Sequence, residues 1–299
     1  MSTQRDSVSA DSSTYPDPVV ETVTSRDGTS IRYRQFGSGP TLLLLHGSMS
    51  SGAHHTDLAQ LLADAFTVVV PDRRGRGLSG PHRAGAELQQ EVDDVSALIA
   101  ATDAENVWGL SSGACIALEA AQTLPRIRKV ALFEPPLLPE QARAAAFLRQ
   151  FDAEMTRGRL GNALIVAMRA SEMGPGWFRA LPVWLTVPLV QMGMDREEKQ
   201  AAGEYPTMRE LAGTLHAEFA IIAASSGPLT DLGPISAEVL LMGGSKSPRY
   251  LRKALDDLAS ALPAARRIEL EGLDHAAPWN TDRRGHPEPV AQELRQFFA

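Results

Sequence analysis

Hydrophobic positions alternate with a period of two in residues 19–25 and again in residues 30–36, separated by Arg26-Asp27-Gly28-Thr29. Asp-Gly between two alternating runs signals a hairpin, so the chain is expected to open with two antiparallel strands. Beyond Gly37-Ser38-Gly39-Pro40 the pattern changes. Residues 41–45, 66–70, 107–110, 129–133 and 238–242 are mainly unbroken apolar runs, which strands covered on both faces require. Residues 266–270 add a shorter strand. Between these runs the period shifts to that of a helix, in residues 55–65, 87–101, 114–123 and 250–262 and in a last segment ending at Phe298. Val92, Val95, Leu98 and Ile99 form one such stripe. Strands alternating with helices predict an α/β fold with a mostly parallel central sheet and helices on both faces. Right-handed crossovers then bring the strand ends, and any site built on them, to one edge.

The alternation stops after Glu134. Residues 135–232 hold several helical stretches and no clear strand, as expected of a helical cap inserted over the sheet edge. The expected division is a core of residues 19–134 and 233–299, a cap of 135–232, and a polar, Ser- and Asp-rich tail of 1–18. With 43% hydrophobic residues in 299, there is ample material for one large core. A formal net charge of −7 with no basic block argues against nucleic acid or an anionic membrane as partner. No apolar run is long enough to cross a bilayer, and the tail lacks a secretory apolar segment, so a cytoplasmic location is expected. Cys115 is the only cysteine, which excludes an intrachain disulfide and a cysteine metal cage. It is expected to be a small buried residue. No spacing supports a metal site, and no cofactor is expected.

The chemistry concentrates in Gly109-Leu110-Ser111-Ser112-Gly113, between an apolar strand and an Ala/Leu-rich helix. Glycines on either side let the backbone double back sharply and force the Ser111 hydroxyl outward. Three further motifs accompany it in order: His46-Gly47-Ser48, the turn from Pro71-Asp72-Arg73-Arg74 through Gly75-Arg76-Gly77-Leu78-Ser79, and Gly272-Leu273-Asp274-His275. Together they resemble the α/β-hydrolase superfamily over residues 19–298, with the cap as the least constrained part.

A serine hydroxyl is a poor nucleophile at neutral pH and needs a base. The resemblance implies that Ser111 is the nucleophile and that His275, in the loop before the last helix, is the base. It also implies that the backbone N–H groups of Ser48 and Ser112 form the oxyanion hole. Neither side chain is needed for that role, so a mild effect of Ser48→Ala is expected. His46 is expected to be structural, and His54, His55, His82, His216 and His286 carry no motif. The turn containing Asp72, Arg73, Arg74 and Arg76 is expected to be architectural.

The acid departs from the superfamily pattern. After the first strand beyond the cap, most members have Gly-x-x-Asp, whereas this chain has Gly244-Ser245-Lys246-Ser247. A serine cannot stabilise an imidazolium by charge. Glu134, at the end of the strand that follows the Ser111 helix, faces the same edge and is the substitute. Some lactonases and haloalkane dehalogenases of the superfamily look similar in carrying their acid there. Asp231, Asp256, Asp257 and Asp274 are weaker candidates. Trp177, Trp184 and Met192, with Met173 and Met194, are expected to line the underside of the cap and bind an apolar substrate.

These readings converge on a cofactor-free serine hydrolase that cleaves an ester or lactone of a hydrophobic small molecule through an acyl-enzyme. Ser111 itself disfavours haloalkane dehalogenase and epoxide hydrolase chemistry, which would place Asp at the turn. A carbon-carbon bond hydrolase, amidase, perhydrolase or thioesterase could use the same machinery. The missing Asp at Ser247 also keeps open a non-catalytic member that only binds a small molecule.

Overall fold

A computed structural model describes residues 17–85, 87–172, 181–200, 203 and 205–299. The tail expected over 1–18 therefore lies almost wholly outside the described residues. Eight strands form one sheet: β1 (Val19–Thr24), β2 (Ser30–Phe36), β3 (Thr41–Leu45), β4 (Thr67–Pro71), β5 (Asn106–Leu110), β6 (Lys129–Phe133), β7 (Glu238–Gly244) and β8 (Arg266–Leu270). Their order is β1-β2-β4-β3-β5-β6-β7-β8. The opening hairpin pairs Val19 with Gln35 and Thr24 with Ser30, and β2 continues antiparallel against β4. The ladders from β4 through β8 are parallel.

The unbroken apolar runs have the expected cause. Successive side chains of a strand point to opposite faces, and here both faces are covered. Leu43, Leu45, Val107, Val130, Leu132 and Leu241 pack on one face against α2 (Glu87–Thr102) and α3 (Ser112–Thr123). Leu42, Leu44, Trp108, Leu110, Phe133 and Met242 pack on the other, against α1 (Thr56–Leu62) and the last helix (Pro287–Phe298). The region expected to be helix over 55–65 begins instead as a 3-10 turn at Gly52–His55.

Between β6 and β7 the described residues form the helices α4 (Gln141–Thr156), α5 (Leu160–Ala170), α6 (Val183–Gln200), α7 (Met208–Ala212) and α8 (Leu215–Ser225). Phe151, Leu164, Met194, Leu215 and Phe219 give this insertion its own apolar cluster. After β7 come α9 (Arg249–Ala261), β8 and α10 (Pro287–Phe298). No helix among the described residues is long and apolar enough to cross a membrane.

Parallel register aligns the strand ends. Leu45 pairs with Gly109, Leu110 with Phe133, and Phe133 with Met242. The residues just beyond these pairs, His46, Ser111, Glu134 and Gly243, therefore emerge side by side on one edge.

Candidate active site

Ser111 sits between β5 and α3 with φ 56° and ψ −122°, a backbone conformation that L residues rarely adopt. Such strain persists only where surrounding structure fixes it. Its N–H donates to Phe133 O at 2.8 Å, and its carbonyl accepts from Ala114 N–H at 2.9 Å. The turn leaves no space beside it. A Cβ at Gly109 would lie 2.3 Å from Gly113 O, and one at Gly113 would lie 2.4 Å from Leu45 O. These contacts, and not freedom of φ, require glycine at both positions.

Glu134 follows β6 with φ 50°, its N–H bonded to Met242 O at 3.1 Å. Its side chain is fully buried. Oε1 accepts from Gly244 N–H at 2.6 Å, and Oε2 lies 2.6 Å from His275 Nδ1. A carboxylate oxygen can only accept, so Nδ1 carries the proton and Nε2 is left with a free lone pair. His275 and Ser111 line the same cavity. Ser247, in the position where the superfamily pattern has Asp, is buried, and its hydroxyl has no hydrogen-bond partner among the described residues. Of the other candidate acids, Asp257 pairs with Lys253, Asp256 faces Arg267, Asp274 accepts from Ala276 N–H, and Asp231 ends the 3-10 turn Leu229–Asp231.

The cavity, about 470 Å³, lies between the sheet edge and the insertion. Its wall is mostly apolar, with Met49, Leu110 and Trp279 from the core and Phe147, Leu164 and Phe219 from the insertion. Among the described residues that line it, Glu218, His275 and Tyr250 are the titratable ones, and none is a lysine or arginine. Burial, with Glu172 and Glu134 nearby, raises the Tyr250 phenol above its usual range, and its hydroxyl donates to Ser171 O at 3.2 Å.

The expectation for the cap side chains needs correction. Trp184 and Met192 are 73% and 64% exposed, and neither reaches the cavity. The helical period explains it. Thr186, Val190 and Met194 occupy the inward face of α6, whereas Trp184 and Met192 fall on the opposite face. Met194 is buried in the insertion's own cluster, and Trp177 and Met173 lie outside the described residues.

Ser48 and Ser112 both border the nucleophile. Ser48 lines the cavity, and the Ser112 N–H opens α3, where helix geometry supplies no acceptor. His46 is fully buried: Nδ1 donates to Gly47 O at 2.9 Å and Nε2 accepts from Arg73 N–H at 3.1 Å. Desolvation, with Arg73 and Arg76 close by, holds it well below the usual imidazole range. The turn after β4 is a framework of buried charges. Asp72 accepts from Gly52 N–H and Leu78 N–H, Arg73 pairs with Glu91, and Arg74 with Asp94.

Sequence reasoning missed Glu218. It is 1% exposed on α8 and meets Arg73, Arg76 and the Ser48 hydroxyl. One signal was available: a lone acid within Leu215-His216-Ala217-Glu218-Phe219-Ala220-Ile221-Ile222 must find a cation if that helix is buried. Cys115 is buried, and burial pushes its thiol up to about 12. Among the described residues no cluster of His, Cys, Asp or Glu is arranged to hold a metal ion.

The sequence pattern of the alpha/beta hydrolase family matches residues 42–293. The chain belongs to that family. It is similar to a solved alpha/beta hydrolase from Sphaerobacter thermophilus, with 32% identity and a TM-score of 0.74 over 93% of this chain and all of that one. A pimeloyl-[acyl-carrier protein] methyl ester esterase of Stenotrophomonas maltophilia is 39% identical over 271 residues, 88% of this chain and 94% of the relative. A 2-(acetamidomethylene)succinate hydrolase of Mesorhizobium japonicum is 26% identical over 254 residues, 82% and 85% of the two chains. The α/β-hydrolase fold and the hydrolase class expected from the motifs therefore stand.

Proposed function

We propose that the protein is a serine hydrolase that cleaves an ester or lactone of a neutral, hydrophobic small molecule through an acyl-enzyme on Ser111. The observation that carries this reading is the meeting of the His275–Glu134 pair with Ser111 at one apolar cavity. In this reading His275 Nε2 takes the Ser111 proton as Oγ attacks the substrate carbonyl, while Glu134 holds Nδ1–H and stabilises the imidazolium. The oxyanion is met by the N–H groups of Ser48 and Ser112. His275 then returns its proton to the departing alkoxide. A water deprotonated by His275 attacks the acyl carbon and frees the acid.

Substrate charge follows from the wall. Among the described residues the wall offers no lysine or arginine to an anionic acyl group, because Arg73 and Arg76 are already engaged by Glu218 and Glu91. That disfavours a dicarboxylate of the kind named for the Mesorhizobium relative, and the ester named for the Stenotrophomonas relative supports ester cleavage. A carboxylate 2.6 Å from His275 supports the enzyme reading over a member that only binds a small molecule.

The test is fluorophosphonate labelling together with turnover of p-nitrophenyl esters. Labelling lost in both Ser111→Ala and His275→Ala, with butyrate or hexanoate esters turned over far faster than hemisuccinate esters, is the expected result. An unlabelled wild-type protein overturns the reading.

A further inference from the structure

The hydroxyls of Ser48 and Ser112 lie 3.3 Å apart, and both belong to a closed network of polar groups. Ser48 Oγ–H donates to Glu218 Oε2 at 2.9 Å. Its one proton is thereby committed, so the bond between the serines runs from Ser112 Oγ–H to Ser48 Oγ. Arg73 Nη1 closes the ring, donating to Ser112 Oγ at 3.2 Å and to His46 O at 3.0 Å, and pairing with Glu218 Oε1 at 3.2 Å. Arg76 Nη2 meets the same Glu218 oxygen, and Glu91 holds Arg73 from behind through two bonds of 3.1 and 2.8 Å. Arg73, Arg76, Glu91 and Glu218 are each no more than 2% exposed.

The ring surrounds the two residues whose N–H groups serve the oxyanion in the proposed reaction. The backbone there is strained as well: Met49, next to Ser48, has φ 53°. A donor aimed at a developing charge helps only if it is already oriented, and a loop in a sparsely populated conformation holds that orientation only when its neighbours fix it. Oε2 of Glu218 accepts from Ser48 and Oε1 is held by ion contacts with Arg73 and Arg76, which commits the carboxylate to the loop rather than to substrate.

We infer that Glu218, supplied by the insertion, is a positioning residue that orients the oxyanion donors through the Ser48 hydroxyl. The inference rests on the serine hydrolase reading and revises the expectation that the Ser48 side chain is dispensable. Misaligning one donor costs less than deleting it, so a loss of about tenfold in kcat with KM held within about twofold is expected for Ser48→Ala and for Glu218→Gln.

A double-mutant cycle on a p-nitrophenyl ester tests it. If Glu218 acts through Ser48, the double variant is no slower than the slower single variant, and Ser48→Thr, which keeps the hydroxyl, restores most of kcat. Multiplicative losses in the double variant, or an unchanged kcat in Ser48→Ala, overturn the inference. Should Glu218→Gln fail to fold, Ser48→Ala against Ser48→Thr decides alone, because those changes leave the ion pairs intact. A wild type that neither labels with fluorophosphonate nor turns over ester sinks the hydrolase reading instead.

Discussion

Replacing Glu134 by Gln is the change whose outcome the geometry constrains most tightly. The two side chains have nearly the same shape, so packing in the buried site is kept. An amide, however, has one accepting and one donating end. Gly244 N–H, 2.6 Å from Oε1, can only donate, and so the amide oxygen must face it. The amide NH₂ then faces His275 Nδ1 at the position now held by Oε2. Flipping the amide would set two donors against each other at Gly244 in a fully buried site, at a cost of about 1–3 kcal/mol. Nδ1 is thus forced to accept, the imidazole proton moves to Nε2, and the base can no longer take the Ser111 proton. A corresponding acid-to-amide change in a serine protease triad lowers kcat by about 10⁴, or about 5 kcal/mol at ~1.4 kcal/mol per decade. A comparable fall in kcat is expected here, with little change in thermal stability. Steady-state hydrolysis of p-nitrophenyl butyrate measures it, and a melting curve checks the fold. Turnover within tenfold of wild type would refute the assignment of Glu134 as the orienting acid.

Other outcomes follow from burial and shape. His54 and His55 are held neutral by burial, their imidazoles lowered to about 3 and about 4. The unfolded chain takes up protons below about pH 6.5 that the native state refuses, so stability is full above that pH and declines as pH falls toward 4. Each histidine contributes about 2 kcal/mol to the loss between pH 7 and pH 5, and urea melts of His55→Gln should show a shallower decline; an identical slope would count against buried neutral His55. Cys115, with its thiol near 12, should not react with Ellman's reagent until the protein is unfolded by guanidinium; rapid native reaction would contradict its burial. Trp184→Ser and Met192→Ser should leave kcat/KM within about twofold, and a tenfold fall would put that face of α6 back in the substrate path. Ala167 borders the cavity, so Ala167→Phe should cut kcat/KM for a hexanoate ester by about tenfold or more while sparing the acetate, as expected of overpacking; equal effects on both would mean the acyl chain lies elsewhere.

The Glu134 case also shows how much of the site is local. Its place after β6, one strand from Ser111, can be read from apolar run lengths and the rule that parallel strands end on one edge. The same reasoning failed at Trp184 and Met192. Bulk and apolarity mark a residue as burial material, but which face of α6 meets the core depends on how that helix docks, and no local pattern carries that.

The sequence by itself determined the element order, the sheet covered on both faces, and the sharp turn at Ser111, because strand and helix periodicity and the space a glycine leaves are properties of neighbouring residues. Only the tertiary structure decided that Glu134 meets His275 across 141 positions and that Glu218 reaches Ser48 across 170. The first contact forms where the loops after β6 and β8 meet at the sheet edge and the second when the insertion closes over it; in both, a buried charge must find a partner far along the chain or forfeit its solvation.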